Sequence, residues 1–155
     1  MRKVLLSIKP HFAEAILNGT KDVEFRRAIW RDRSLEELCI ADISINPRLD
    51  SQQIEGIVMY ASSPVQMIVG EFWIDEIHES YNRFSDRSLD EFKIGCSREY
   101  LDSYLKGSKW AYAIELYSPR RYPRPHALSE LGISRPPQNF QYLTPKQLNT
   151  VEKWT

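Results

Sequence analysis

The sequence predicts an α+β domain of mostly antiparallel strands flanked by short helices, and three observations carry that prediction. A strand, a short amphipathic helix and a second strand follow one another within residues 5–27. Two β-rich stretches, 56–77 and 110–117, lie further on. Between and after them stand Ser or Thr residues placed three before Glu or Gln, the spacing with which helices begin.

The first unit is read residue by residue. In 4–9, Val4, Leu6 and Ile8 share one strand face, while Ser7 and Lys9 share the other. Pro10 suits the first turn of a helix, where its missing N–H is not needed. Phe12 with Ile16, and Ala13 with Leu17, are four apart and stack on one side. Asn18-Gly19 ends the helix, since Gly adopts the left-handed conformation cheaply. In the strand over 22–27, Val23 and Phe25 point one way and Asp22, Glu24 and Arg26 the other. Lys21 sits at the loop–strand junction, where the pleat does not fix its direction.

Gly56-Ile57-Val58-Met59-Tyr60-Ala61 is a nearly continuous apolar strand suited to the middle of a sheet. Ser62-Ser63-Pro64 ends it. The strand over 66–77 puts Ile68, Gly70, Phe72 and Ile74 opposite Val69, Glu71 and Trp73, and Gly70 marks a bulge or tight bend. Ser34-Leu35-Glu36-Glu37, Ser88-Leu89-Asp90-Glu91 and Thr144-Pro145-Lys146-Gln147 have capping-box spacing, the last opening a helix through Lys153. Ser97 caps a helix running to Lys106-Gly107. The Pro-rich stretch 119–141 reads as ordered coil with one turn at 128–131. Trp73, Trp110, Phe25 and Phe72 read as core.

Bulk composition fits one globular domain. The chain has 155 residues, 27% of them charged, with 21 Lys+Arg against 21 Asp+Glu. Zero net charge argues against a protein that coats nucleic acid by charge alone, although a local basic cleft is compatible with it. No apolar run is long enough for a bilayer, and no leader pattern opens the chain. Cys39 and Cys96 are far apart and lack metal or redox spacing, which suggests reduced thiols in a cytoplasmic protein. His11, His78 and His126 share no ligand spacing, so neither a metal nor another cofactor is expected.

SIKP followed by G-x-K-x-x-E-x-R (Gly19, Lys21, Glu24, Arg26) resembles the ASCH domain of the PUA-like superfamily. IVMYASSPVQMIVGEF, KWAYAIELY and ALSELGISRPPQNFQYL extend the resemblance, in order, over residues 3–143. It implies a small, curved, mostly antiparallel PUA-like β-barrel over 1–143, with an insertion or elaborated crossover around 28–54 and a helical tail over 144–155. It also implies a cleft beside the first helix, onto which Lys9, Lys21, Glu24 and Arg26 map, with Ser62, Ser63 and Tyr112 added from the later segments. Lys and Arg supply donors for phosphate or a base carbonyl. Glu accepts from an exocyclic amine, and Tyr112 offers a stacking face or a hydroxyl.

The implied partner is RNA, other single-stranded nucleic acid or a modified nucleoside, with a regulator's protein partner as another reading. Relatives within the resemblance act as amidohydrolases on acetylated cytidine, with the motif Lys as nucleophile or base and a Thr three residues later. Here that Thr position is Glu24, and a carboxylate beside Lys21 favours its protonated form. A metal-independent ribonuclease with Lys21 and Glu24 as catalytic groups is the other enzymatic reading. The bland alternatives stand beside these. Asp22, Glu24 and Arg26 also read as a solvated charge set, Ser62-Ser63-Pro64 as a turn and Tyr112 as core. The basic run Arg120-Arg121-Tyr122-Pro123-Arg124 reads as a nucleic-acid footprint or a solvated loop.

Overall fold

A computed structural model describes residues 2–30, 54–81 and 83–155. Six strands, β1 (Lys3–Ile8), β2 (Val23–Arg26), β3 (Gly56–Ala61), β4 (Met67–Tyr81), β5 (Trp110–His126) and β6 (Phe140–Tyr142), form one sheet in the order β2-β5-β4-β3-β1-β6. Among the described residues four helices accompany them: α1 (Pro10–Leu17), α2 (Asp86–Leu89), α3 (Arg98–Leu105) and α4 (Pro145–Glu152), with a 3-10 turn at Leu128–Leu131. The pair β1/β3 is parallel and every other pair is antiparallel. The capping box at Ser34 and Cys39 lie outside the described residues, as does most of the expected insertion around 28–54.

The expected first unit is present as read, with Pro10 at the helix start and Gly19 at φ +83° beyond its end. The bulge expected at Gly70 is also present, because the β4/β5 register shifts between Ile68 and Gly70. A Cβ there would lie 2.5 Å from the Arg120 carbonyl and 2.9 Å from Leu17 Cδ2, so no larger residue fits where β5 crosses and α1 packs. Bulges of this kind curl the sheet. The curl brings the end of β2 over β1 and β6, where Asn139 Nδ2 donates to the Ala28 carbonyl at 2.9 Å. Among the described residues no ladder joins β2 to β6, so side chains bridge the gap that a closed barrel would fill with backbone bonds.

Both faces of the sheet are covered. Inside the curl, Leu6, Ile16, Met59, Phe72 and Ile114 form the central core. On the outer side of β1 and β3, Leu5, Val58 and Tyr122 pack with Leu131, Val151 and Trp154, which anchors α4. Val23, Phe25 and Ala113 pack under α2 and α3 through Leu89, Leu101 and Leu105.

Four local expectations change. Residues 119–126 continue β5 instead of forming coil. Among the described residues they pair with β4 alone, and prolines are tolerated on the edge that β2 does not reach. A short strand, β6, appears in what reads as coil. Ser88 sits inside α2, because Ser85, three residues earlier, takes the capping role and accepts from the Ser88 N–H. Trp110 is 37% exposed and meets Tyr81 edge-on beyond the covering helices. The capping box at Thr144 and Gln147 forms both of its bonds.

Candidate functional site

The turn after α1 sets the site. Thr20 and Lys21 N–H groups both donate to the Ala15 carbonyl, which turns the chain sharply into β2 and aims Lys21 inward. Its side chain is 2% exposed, with Nζ 4.8 Å from the centre of the Phe12 ring and 5.2 Å from that of Phe25. Nζ donates to the Ile94 carbonyl at 2.7 Å. The loop that supplies this carbonyl closes over the Lys21 stem at Gly95, where φ is +74° and a Cβ would come within 2.8 Å of Lys21 Cδ. Only glycine combines that backbone angle with that approach.

Glu24 stands between two cations. Its Oε1 lies 3.7 Å from Lys21 Nζ and its Oε2 3.4 Å from Arg26 Nη1. Arg26 is held from the other side by the Ser7 carbonyl, at 3.0 Å from Nη1, and by Asn139 Oδ1 at Nη2. Glu24 is 5% exposed, so the face carrying Asp22, Glu24 and Arg26 is not the solvated charge set that alternation alone allows. The sheet curls over it.

These groups face a cavity of about 470 Å³ at the carboxyl ends of the parallel pair β1/β3. Ser7, Lys9, Lys21, Glu24, Arg26, Ser62 and Ser63 line it, together with Phe12, Cys96, Tyr100, Tyr104 and the segment Pro136-Pro137-Gln138. Six of the seven residues singled out from the sequence therefore meet in one place. Ser62 also serves the turn, its carbonyl accepting from the Val65 N–H at 3.1 Å, so it both lines the cavity and closes the turn. Tyr112 does not reach the cavity. It is 4% exposed in the central core, because its position opposite Arg26 on β5 directs it into the curl.

Burial governs the titrating groups. It pulls the Lys21 ammonium below the usual lysine range, against the opposing pull of Glu24. It pushes the Cys96 thiol up, with Lys21 working the other way. It also pushes the Tyr104 hydroxyl up, and Arg26 counteracts it. Lys9 at the rim donates to the Tyr100 hydroxyl at 3.0 Å, and that bond raises its pKa.

Tyr100 and Tyr104 escaped the sequence reading. Their i, i+4 spacing on α3, which puts them on one helix side, was the available signal. Asn139, which orients Arg26, had none. Each arginine of the basic run has a carboxylate partner. Arg120 pairs with Glu71, Arg121 with Glu14 and Arg124 with Glu130, while Tyr122 is buried.

The open curved sheet with short helices on both faces is similar to the fold of solved ASCH proteins. The ASCH protein of Zymomonas mobilis superposes with a TM-score of 0.73 at 24% identity, covering 97% of this chain and 94% of that one. A Tyr-to-Phe mutant of the same protein gives 0.74 at 21% identity over 99% and 98%. In sequence, the chain is 25% identical over 145 residues to a protein named ATP synthase subunit alpha from Ureaplasma parvum, covering 90% of this chain. The chain spans only 15% of that relative's length. No family model matches the chain. No helix among the described residues is long and apolar enough to cross a membrane.

Proposed function

We propose that this ASCH-type domain binds nucleic acid through one unstacked base, or a free modified nucleoside, held in the Lys21/Glu24/Arg26 cleft. The observation that carries the reading is Glu24, fixed by a cation at each oxygen on the wall of a partly aromatic cavity of about 470 Å³. That volume lies within the span of small-ligand pockets. A heteroaromatic ring suits the lining of Phe12, Tyr100 and Tyr104, and a carboxylate acceptor suits an exocyclic amine of the cytosine type. Concave sites that take one base from a strand are built in this way.

The deciding experiment is a titration with short single-stranded RNA, single-stranded DNA and a panel of modified cytidines. Lys21→Ala and Arg26→Ala should each weaken binding by about 1–3 kcal/mol while the fold is retained by circular dichroism. Wild-type affinity in both variants for every ligand in the panel sinks the cleft assignment.

One observation favours a second, hydrolytic reading. Desolvation outweighs Glu24 at Lys21, so the amine gives up its proton more readily than an ordinary lysine, against the direction expected from Glu24 alone. A lysine with a lowered pKa is suited to act as base or nucleophile on an acylated nucleoside or on an RNA phosphodiester. Mass spectrometry of the same incubations separates the two readings. Products that vanish with Lys21→Ala support hydrolysis, whereas unchanged ligands with Lys21-dependent binding support a reader.

A further inference from the structure

A second cluster of chemistry-bearing side chains lies away from the cleft, on the β4/β5 pair. Glu76 and Glu115 are direct partners across the ladder, and His78 stands two residues along β4 on the same face. His78 Nε2 lies 2.9 Å from Glu115 Oε2 and 3.9 Å from Glu76 Oε2. The three ligand atoms fall within 4.8 Å of one another.

Two features set this apart from an ordinary exposed ion pair. Like charges placed directly opposite on paired strands repel, and the ion pairs of both glutamates among the described residues run to His78 alone. The β4/β5 register also shifts between Ile74 and Glu76, and that irregularity sets Glu76 against Glu115. The shared face is therefore built into the backbone of two long strands and does not depend on a flexible loop. Phe92 packs against the His78 ring, with centroids 5.4 Å apart, and restricts its rotation.

We propose that Glu76, His78 and Glu115 form a binding site for a divalent transition-metal ion of the zinc class. One imidazole nitrogen and two carboxylates are a donor set that such ions accept, with solvent completing the coordination. Metal–ligand bonds of about 2.0–2.2 Å require donor atoms roughly 3–3.5 Å apart. His78 and Glu115 are already near that separation. Glu76, whose side chain is 68% exposed, closes the remainder by rotating its own bonds.

The test is a zinc titration of the full chain by calorimetry and by competition with a chromophoric chelator, at neutral pH. The panel is wild type, His78→Gln, Glu115→Gln and Cys39→Ser/Cys96→Ser, each checked for fold by circular dichroism. The proposal expects one equivalent bound by wild type and by the cysteine-free variant, at least a tenfold loss in Glu115→Gln, and no site in His78→Gln. Binding that survives His78→Gln, or that disappears with the cysteines, overturns it. So does the absence of binding by wild type.

Discussion

Among the described residues, two Lys–Glu pairs are buried beside aromatic rings with an arginine at the second carboxylate oxygen, and of the two the Lys21–Glu24 pair lines the cavity. In the cleft, Lys21 and Arg26 flank Glu24 at 3.7 and 3.4 Å, with Phe12 and Phe25 against the ammonium. On the other side of the molecule, Lys3 Nζ meets Glu71 Oε2 at 2.5 Å and Arg120 approaches Glu71 Oε1 at 3.6 Å, with the Trp73 ring centre 4.7 Å from the ammonium. The chemistry is nearly the same, but the geometry differs. Lys3 spends its contact on Glu71, whereas Lys21 gives its short bond to a backbone carbonyl and stands further from its carboxylate. Composition alone does not make a site. A loose pair on the wall of a cavity leaves capacity for a ligand, and a tight pair packed against a ring does not.

The strongest way to break that comparison is at Glu71. Glu71 is 3% exposed, and Glu71→Gln strands a buried Lys3 and weakens the hold on Arg120. Removing one member of a buried pair costs about 3–5 kcal/mol. Urea denaturation should show a loss of that order, while the remaining folded protein binds cleft ligands with wild-type affinity. Ligand affinity that falls in Glu71→Gln at temperatures where the fold is intact would show that the two groups are coupled, and the division drawn here would fail.

Aromatic rings sharpen the comparison at a smaller scale. Tyr100 is 36% exposed at the cavity rim, and stacking of a base on an aromatic ring contributes about 1–3 kcal/mol. Tyr100→Ala should therefore lower ligand affinity by that amount. Its effect on stability should stay near 0.5 kcal/mol or below, as for a surface side chain. Trp73→Ala, which removes the ring beside Lys3, should shift stability and leave affinity alone. Equal effects of the two substitutions on affinity would mean that the rings do not tell the two regions apart.

Much of this was legible in the sequence where local signals coincide with tertiary demand. The unit from β1 to β2 carries a two-residue period, a proline start, a glycine stop and a second alternation, and each is satisfied in the fold. Gly70 announced its bulge because nothing larger survives between Arg120 and Leu17. What escaped depends on which strands become neighbours. Periodicity gives the face of a residue within a strand but not which face the curl buries, so by alternation alone Glu24 and Arg26 read equally as a solvated set, and Tyr112 equally as core or ligand group. Proline content hid the end of β5, since tolerance of proline there follows from a missing neighbour that a linear reading does not reveal. Asn139 holds Arg26 from 113 residues away in sequence, and no local pattern encodes a contact of that range.

The smallest predicted effect reads the electrostatic state of Lys21 directly. Burial holds its folded pKa below the ordinary 10.5. Between the folded value and 10.5, the unfolded chain carries the proton and the folded chain has released it, so the unfolded state binds more protons and stability rises with pH. The stabilisation is complete above 10.5 and is lost as pH falls through the folded pKa. Lys21→Met removes that proton while keeping most of the apolar stem against Phe12 and Phe25. Urea titrations of wild type and Lys21→Met from pH 8 to 10.5 should show wild type gaining on the variant with pH, by at most about 1.4 kcal/mol per pH unit for one proton. A difference that stays flat means that Glu24 at 3.7 Å, and not desolvation, sets the state of the lysine. The cleft would then hold a permanent ammonium, which suits a reader of nucleic acid and removes the ground for the hydrolytic reading.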